Sequence, residues 1–182
     1  LCRYLVNCPE NPDERAHKLR LAFGNGLRPD VWPEFQSRFA IPQILEFYGS
    51  TEGNVSLFNF DGKQGAIGRV PSFLKSQINI RLVEFDVETE QPIRGSDGLC
   101  RLARVGEVGE AMGFIVDHPE IGGGRFEGYT CSEATESKIR RNVFREGDAY
   151  WSSGDLLRED ATRNYDHYLE MLNEDDEGAA RD

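Results

Sequence analysis

The first sixty residues combine two kinds of hydrophobic pattern. Polar and apolar residues alternate from Lys18 to Phe23, which predicts a strand that runs into the Gly24-Asn25-Gly26 loop. Asp30 suits the N-cap of a following helix, because apolar residues then recur at helical spacing as far as Arg38. A second strand is predicted from Ile41 to Tyr48. The order strand, helix, strand predicts an α/β fold with a covered, mostly parallel sheet.

The middle of the chain has shorter β-like runs separated by turn residues. These runs are Ile78 to Phe85, Gly98 to Ala103 and Gly109 to Val116. Strands at this spacing predict a small antiparallel or barrel-like β-subdomain over residues 65–116. We then expect a helix from Ser132 to Phe144 and an apolar-aromatic stretch from Ala149 to Leu157.

Charge separates a nearly balanced body from an acidic end. The 182 residues hold 21 Lys and Arg against 32 Asp and Glu, a formal net charge of −11. Residues 159–182 hold nine acids and two bases, and therefore carry −7 of that charge. This pattern predicts a divergent acidic tail over residues 162–182 that is solvated or disordered. The net negative charge argues against general binding of nucleic acid.

The cysteines and histidines predict neither a metal cluster nor a disulfide framework. The four Cys stand at positions 2, 8, 100 and 131 without the two-residue gap of a zinc or redox motif, and the three His are scattered. The pattern is typical of reduced thiols in an intracellular protein. No run of about 18 apolar residues predicts a transmembrane helix. The start at Leu1, without Met or a signal peptide, suggests a fragment.

The most informative polar run follows the second predicted strand. Tyr48 offers a flat face to a purine ring, and Gly49 lets the backbone approach a ligand closely. Ser50 and Thr51 can donate hydrogen bonds to phosphate oxygens, while Glu52 can hold Mg²⁺, which prefers oxygen ligands. Ligands of open α/β sheets bind at the carboxyl ends of strands. On residue types alone, an ordinary strand-to-loop turn with a capping Thr is the simpler explanation.

Longer blocks of sequence resemble a known family. The run from Tyr48 to Glu52 resembles the Tyr-Gly-x-Thr-Glu motif of the adenylate-forming enzymes. Five ordered blocks look like the fatty acid transport protein and very long-chain acyl-CoA synthetase branch of that superfamily; they are Phe23–Trp32, Glu46–Asn54, Gly65–Gly68, Gly124–Tyr129 and Gly147–Leu157. The resemblance covers residues 1–161 and implies a portion of an adenylate-forming N-terminal domain, with a βαβ layer and a β-subdomain.

The resemblance also implies roles for individual residues. The Gly24-Asn25-Gly26 loop and the strand end at Tyr48 would flank the adenine, and Asp155 matches the acid that holds the ribose hydroxyls. Thr51 would contact the AMP phosphate, and Glu52 would bind Mg²⁺. The implied nucleotide-binding residues are Gly24, Asn25, Gly26, Tyr48, Gly49, Ser50, Thr51 and Asp155; the implied catalytic residues are Thr51 and Glu52. Taken alone, Asp155 is equally explained as a turn residue, and Glu46 and Phe47 would line the adenine pocket or the acyl site.

The reaction implied by the resemblance is that of an acid–thiol ligase. A long-chain or very long-chain fatty acid attacks ATP to give an acyl-adenylate and pyrophosphate, and coenzyme A then displaces AMP. The implied cofactor is Mg²⁺, which helps to neutralise the transferring phosphoryl group. The family also links this reaction to fatty-acid uptake, and leaves membrane association of a longer parent protein open, at the plasma membrane or the endoplasmic reticulum.

Two features of the family pattern are missing from the chain. No Gly-rich phosphate loop with a Lys occurs in it. No Lys follows Lys138, and Asp166 is followed by His167 instead of the Arg of the family's hinge. We therefore expect a fragment of the ligase that is incompetent alone. The alternative is a non-catalytic lipid-uptake or scaffold protein that retains the family surface.

Overall fold

The computed structural model describes residues 1–49, 53–115 and 132–167, which form three short helices and ten strands in two sheets. The helices are α1 (Cys2–Val6), α2 (Trp32–Arg38) and α3 (Ser132–Ser137), and 3₁₀ turns cover Pro12–Arg15 and Ser72–Leu74. The strands are β1 (Ala22–Gly24), β2 (Ile44–Gly49), β3 (Ser56–Asn59), β4 (Ala66–Arg69), β5 (Arg81–Asp86), β6 (Gln91–Pro92), β7 (Val108–Phe114), β8 (Ile139–Arg141), β9 (Ala149–Glu159) and β10 (Asn164–His167). No described helix exceeds seven residues, and none qualifies as a membrane span.

The first sheet has the order β1-β2-β3 and confirms the predicted βαβ unit. Strands β1 and β2 are parallel, and helix α2 connects them across one face. Trp32 and Phe35 of this helix are buried against Ile44 of β2, because apolar residues at helical spacing present one stripe to the sheet. Helix α2 begins at Trp32, after Val31 at the N-cap, so the predicted N-cap at Asp30 is wrong. The Asp30 carboxylate instead accepts hydrogen bonds from two arginine side chains.

The opposite face of the first sheet is aromatic and partly open to solvent. The rings of Phe23 and Phe47 stack with their centroids 5.0 Å apart, and Phe47 is paired across the strands with Phe58. Phe58 in turn stacks on Phe60. The exposed fractions are 56% for Phe23 and 66% for Phe60. Both faces of this sheet are therefore apolar, as in sheets that are covered on both sides, and helix α2 covers only one.

The second sheet has the order β4-β10-β9-β7-β5-β6, and β8 pairs with β9. All its pairings are antiparallel, as the spacing of the short strands predicts. It extends beyond residues 65–116, because β9 pairs with β7 and β10 pairs with β4. Strand β10 lies inside the span 162–182 predicted as a tail, of which residues 168–182 fall outside the described residues.

A shared core joins the two sheets and brings the end of β2 next to β9. From the first sheet and the connection between β2 and β3, this core takes Tyr48, Val55 and Leu57. From the second sheet and the segments beside it, the core takes Ile67, Val70, Ile80, Leu82, Ala111, Trp151, Leu157 and Tyr165. Because buried apolar area is the main stabilising term in folding, this cluster fixes how the two sheets meet.

Two predicted elements are wrong. Residues 98–103 form no named strand and make only isolated bridges to Val83 and Arg94. The helix predicted from Ser132 to Phe144 ends at Ser137, and strand β8 follows at once. Two contacts replace the helical bonds. Strand β8 pairs with β9, and the carboxylate of Asp148 accepts the backbone N–H groups of Val143, Phe144 and Arg145 and holds a turn there.

The turn between β9 and β10 is organised by Asp160. Its carboxylate accepts the backbone N–H groups of Thr162 and Asn164 and the ammonium group of Lys63. Burial alone would raise the pKa of Asp160, but the bonds from Lys63, Asn164 and Thr162 outweigh it and hold this pKa well below its usual range. The carboxylate therefore stabilises the fold above the ordinary aspartate pKa, and this contribution is lost as the pH falls toward the lowered value.

We expect Asp160→Asn to cost about 1 to 2 kcal/mol at pH 7, hence a melting temperature lower by about 2 to 8 °C. The difference from the wild type should shrink below about pH 4, because Asp160 of the unfolded wild-type chain then begins to be protonated while the folded carboxylate is still ionised. Thermal unfolding followed by circular dichroism at pH 7 and pH 3 measures both effects. Asp61→Asn is the control, because Asp61 makes a half-exposed ion pair with Arg69. An equal loss at both pH values would contradict the role given to Asp160.

Candidate functional site

A buried carboxylate on β2 organises the loop that follows β1. Glu46 is paired in register with Gly24, and its side chain accepts the backbone N–H groups of Gly26 and Leu27, both at 3.0 Å. Gly26 has a φ of +82°, a left-handed backbone conformation that residues other than glycine rarely adopt. The predicted adenine loop is thus held by two charge-assisted hydrogen bonds from the neighbouring strand.

The sequence interpretation placed Glu46 in the wall of a binding pocket and did not foresee this anchoring role. The signal was present in the alternation of β2, where Ile44, Glu46 and Tyr48 are the inward-facing, buried residues. A glutamate at an inward position among apolar residues needs hydrogen-bond donors, because a buried carboxylate without them is costly. The position of those donors, 19 and 20 residues earlier, could not be read from the local pattern.

The end of β2 is joined to β9 by a hydrogen bond between two predicted site residues. The Tyr48 hydroxyl donates to Oδ2 of Asp155 at 2.6 Å, although 107 positions separate them in the sequence. Burial, and then the bond to Asp155, raise the pKa of the Tyr48 phenol. Tyr48 therefore remains a protonated donor at neutral pH, and the orientation of the Asp155 carboxylate is fixed.

The ring of Tyr48 also meets β10. His167 lies edge-on to it, with the ring centroids 5.6 Å apart. Stacking of a purine on Tyr48 therefore has to use the part of the ring that His167 leaves open, and this role of Tyr48 stays a prediction.

Asp155 stands on an irregularity of strand β9. Glu110 of β7 is paired with Leu156, but Met112 is paired with Ser152, so three residues of β9 oppose a single residue of β7. Such a β-bulge re-aims the side chains of the bulged strand. The backbone N–H of Asp155 donates to Oγ of Ser153 at 3.0 Å, which adds a hydrogen bond within the bulge.

Residues Ser50, Thr51 and Glu52 lie outside the described residues, so their predicted roles stay predictions. The described residues on both sides of them contact β9: Tyr48 bonds to Asp155, and Gly53 packs on the indole of Trp151. A methyl group on Gly53 would come within 2.3 Å of that indole. Strand β9 therefore meets the chain just before and just after this segment.

The remaining predicted residues in the described part of the chain lie in the pairing of β2 with β3 or at the tip of the loop after β1. A Cβ on Gly49 would lie 3.3 Å from Oγ of Ser56, so close strand pairing alone explains this glycine. Asn25 is exposed at the tip of the loop between Gly24 and Gly26. Within residues 1–49, 53–115 and 132–167, no group of three or more His, Cys, Asp or Glu could hold a metal ion. The predicted Mg²⁺ ligand, Glu52, is not among these residues.

Comparison with known proteins identifies relatives by sequence. No family model matches the chain. The chain is 46% identical over 157 residues to long-chain fatty acid transport protein 1 of Mus musculus, and 43% identical over 161 residues to long-chain fatty acid transport protein 5 of Homo sapiens. These alignments cover 86% and 88% of the chain but 24% and 23% of the relatives. The chain thus spans about a quarter of the length of the curated relatives it matches.

Comparison with solved structures identifies the fold. A benzoate CoA ligase from Burkholderia xenovorans LB400 matches with a TM-score of 0.57 and 18% identity, over 92% of this chain and 29% of that one. ATP-bound MatB from Rhodopseudomonas palustris matches with a TM-score of 0.54 and 20% identity, over 91% of this chain and 28% of that one. These structures share the fold of part of an adenylate-forming domain, and the sequence relationship shows that the chain belongs to the fatty acid transport protein family.

Proposed function

We propose that the chain supplies the adenosine-binding part of an ATP-dependent ligase that joins long-chain or very long-chain fatty acids to coenzyme A. The observation that carries this proposal is the hydrogen bond between Tyr48 and Asp155. It unites the strand end expected at the adenine with the acid expected at the ribose. Ligand sites of α/β sheets lie at the carboxyl ends of the strands, which is where β2 meets β9.

The Asp155 carboxylate is suited to a ribose because, in the described part of the chain, only one of its oxygens accepts a hydrogen bond. Oδ2 accepts the Tyr48 hydroxyl, and no hydrogen bond among the described residues uses Oδ1. A carboxylate accepts about four hydrogen bonds, so neighbouring hydroxyl groups of a sugar can share these oxygens. The fixed orientation of the carboxylate lowers the entropic cost of binding.

The other predicted residues would each contact a different part of the nucleotide. The Gly24–Gly26 loop, anchored by Glu46, would flank the base, and Thr51 would donate a hydrogen bond to the phosphate. Glu52 is the residue that would hold Mg²⁺, which when bound neutralises charge on the phosphates of ATP. With the base and sugar fixed, the α-phosphorus is held for attack by the fatty carboxylate. The resulting acyl-adenylate would react with coenzyme A.

The proposed reaction takes place inside the cell, and the proposed membrane association is a property of the longer protein. Cys2, Cys8 and Cys100, the cysteines in the described ranges, are free thiols, which suits a reducing compartment. The relatives are named for the transport of long-chain fatty acids, and this supports a fatty acid as the carboxylate substrate.

A second candidate function is a non-catalytic role in lipid uptake or as a scaffold. It is favoured by His167, which follows Asp166 at the place where the family's hinge has an Arg. In this case the longer protein would bind AMP but would not release pyrophosphate from ATP when a fatty acid is added. A pyrophosphate-release assay on the longer protein therefore separates the two candidates, because the chain alone is expected to be incompetent in both.

Titration of the chain with AMP by isothermal calorimetry tests the proposed site. We expect saturable binding of AMP at one site, and an affinity for ribose 5-phosphate at least about tenfold lower, because the loop and Tyr48 contact only the base. Equal affinities for the two ligands, or no saturable heat with AMP, would contradict the proposal.

Glu52→Ala tests the metal site. In the wild type, Mg²⁺ should raise the affinity for ATP, and the variant should lose this gain, with an affinity about tenfold or more below the wild type in Mg²⁺. Without Mg²⁺ the two proteins should bind ATP similarly. Glu107→Ala is the matched control, because Glu107 is an exposed glutamate before β7. An unchanged response of Glu52→Ala to Mg²⁺ would refute the assignment of the metal ligand.

A further inference from the structure

A buried glutamate lies against the bulge that carries Asp155. Glu110 of β7 is only 2% exposed. Its Oε1 accepts the backbone N–H of Gly154 at 3.1 Å and also the hydroxyl group of Ser152. One carboxylate oxygen thus binds two of the residues that immediately precede Asp155.

The bulge needs such a partner because its backbone is unusual. Gly154 has a φ of +84°, so its N–H is turned away from the regular ladder between β7 and β9. The Ser153 hydroxyl donates to the carbonyl oxygen of Ala111 at 2.7 Å and accepts the N–H of Asp155. Together with the bonds to Glu110, these hydrogen bonds link every residue from Ser152 to Asp155 to β7, either directly or through the Ser153 hydroxyl.

The second oxygen of Glu110 argues that this residue is not there for stability alone. Among the described residues, Oε2 is buried without a hydrogen-bond partner. A buried carboxylate with an unpaired oxygen costs free energy, and an apolar side chain of similar volume would avoid this cost. What an apolar side chain cannot provide is the acceptor for the N–H of Gly154.

We propose that Glu110 is a positioning residue, whose carboxylate holds the Ser152–Asp155 bulge in the conformation that directs Asp155 to Tyr48 and to the ribose of a bound nucleotide. The inference rests on the proposed function for its ligand, but the contact between Asp155 and Tyr48 that it explains exists without a nucleotide. Glu110 itself does not touch the nucleotide in this proposal.

Nucleotide binding by Glu110 variants gives the first test. Glu110→Ala should lower the affinity for AMP about tenfold and change the affinity for 2′,3′-dideoxy-AMP by less than about twofold, because only the sugar hydroxyls are read by Asp155. Glu110→Gln should retain most of the affinity, since its amide oxygen can still accept from Gly154 and Ser152. Combining Glu110→Ala with Asp155→Ala should add nothing to the loss caused by Asp155→Ala.

The hydrogen bond of Tyr48 gives a second test that needs no nucleotide. In NMR spectra of the chain with ¹³C-labelled tyrosine at neutral pH, Glu110→Ala should shift the ¹³Cζ resonance of Tyr48 further from its wild-type position than Glu110→Gln does, because only the alanine variant should release Asp155, the acceptor of the Tyr48 hydroxyl. Glu159→Gln is the matched control for general damage, since Glu159 is a buried glutamate of β9 that pairs with Lys75 and Arg163. It should leave both readouts unchanged.

The outcomes separate the two proposals. If Asp155→Ala lowers the affinity for AMP but not for 2′,3′-dideoxy-AMP, and Glu110→Ala lowers neither, the positioning role is refuted while the nucleotide site stands. If the wild type binds neither nucleotide, the proposed function fails, and the NMR resonance of Tyr48 still decides whether Glu110 positions Asp155. An equal shift of this resonance in the alanine and glutamine variants would overturn the positioning role.

Discussion

Asp155→Ala should lower the affinity of the chain for AMP by about ten- to a hundredfold, the largest effect on binding that we expect from one substitution. The variant loses the acceptor of the sugar hydroxyls, and hydrogen bonds to a charged group contribute about 1.5 to 3 kcal/mol. It also leaves the buried hydroxyl of Tyr48 without its partner. Calorimetric titration with AMP measures the effect.

The controls for Asp155→Ala separate loss of the sugar contact from loss of structure. Asp155→Asn keeps the shape of the side chain but lacks the charge, so its loss should be smaller. Asp97→Ala removes a half-exposed carboxylate that pairs with Arg101, and it should bind AMP as the wild type does. If Asp155→Ala lowered the affinities for AMP and 2′,3′-dideoxy-AMP equally, the assignment of Asp155 to the ribose would be wrong.

Glu46→Ala should be the most destabilising single change at the site, at about 2 to 4 kcal/mol. The substitution removes the acceptor of the N–H groups of Gly26 and Leu27, and each unsatisfied donor costs about 1 to 2 kcal/mol. For a domain of this size, the melting temperature should fall by about 4 to 16 °C. Thermal unfolding followed by circular dichroism measures the change.

Glu46→Gln and Glu34→Ala complete this experiment. The glutamine keeps one acceptor oxygen for the loop, so it should recover part of the lost stability. Glu34 is exposed on helix α2, and its removal should shift the melting temperature by no more than about 2 °C. A shift as small as this for Glu46→Ala would show that the loop does not depend on the carboxylate.

The parts of the fold that the sequence predicted are those governed by local periodicity. Alternation before Gly24 and helical spacing after Val31 are enough to define the βαβ unit, although the ends of its elements moved by a few residues. The predicted helix from Ser132 failed beyond Ser137, because the backbone groups of residues 143–145 bind the side chain of Asp148. Strand β8 also pairs with β9 in place of helical hydrogen bonds, and the position of β9 depends on the tertiary fold and not on the local sequence.

The candidate site shows the same limit more sharply. Tyr48 and Asp155 were selected through a family resemblance, and the structure joins them. Glu46 and Glu110, which support the site, were not recognised in these roles. Both are glutamates at buried positions of strands, and their partners lie 19 to 44 residues away in the sequence. A local pattern can show that such a carboxylate needs partners, but only the tertiary fold shows which backbone it holds.

The stacked phenylalanines of the first sheet affect how the chain can be handled in solution. Phe23, Phe47, Phe58 and Phe60 form an apolar strip across one face of the first sheet, starting at β1, an edge strand among the described residues. Contiguous apolar strips of this kind favour association between molecules at high concentration. Dilution or a mild detergent should therefore sharpen the unfolding and titration curves, and light scattering should show particle size growing with protein concentration.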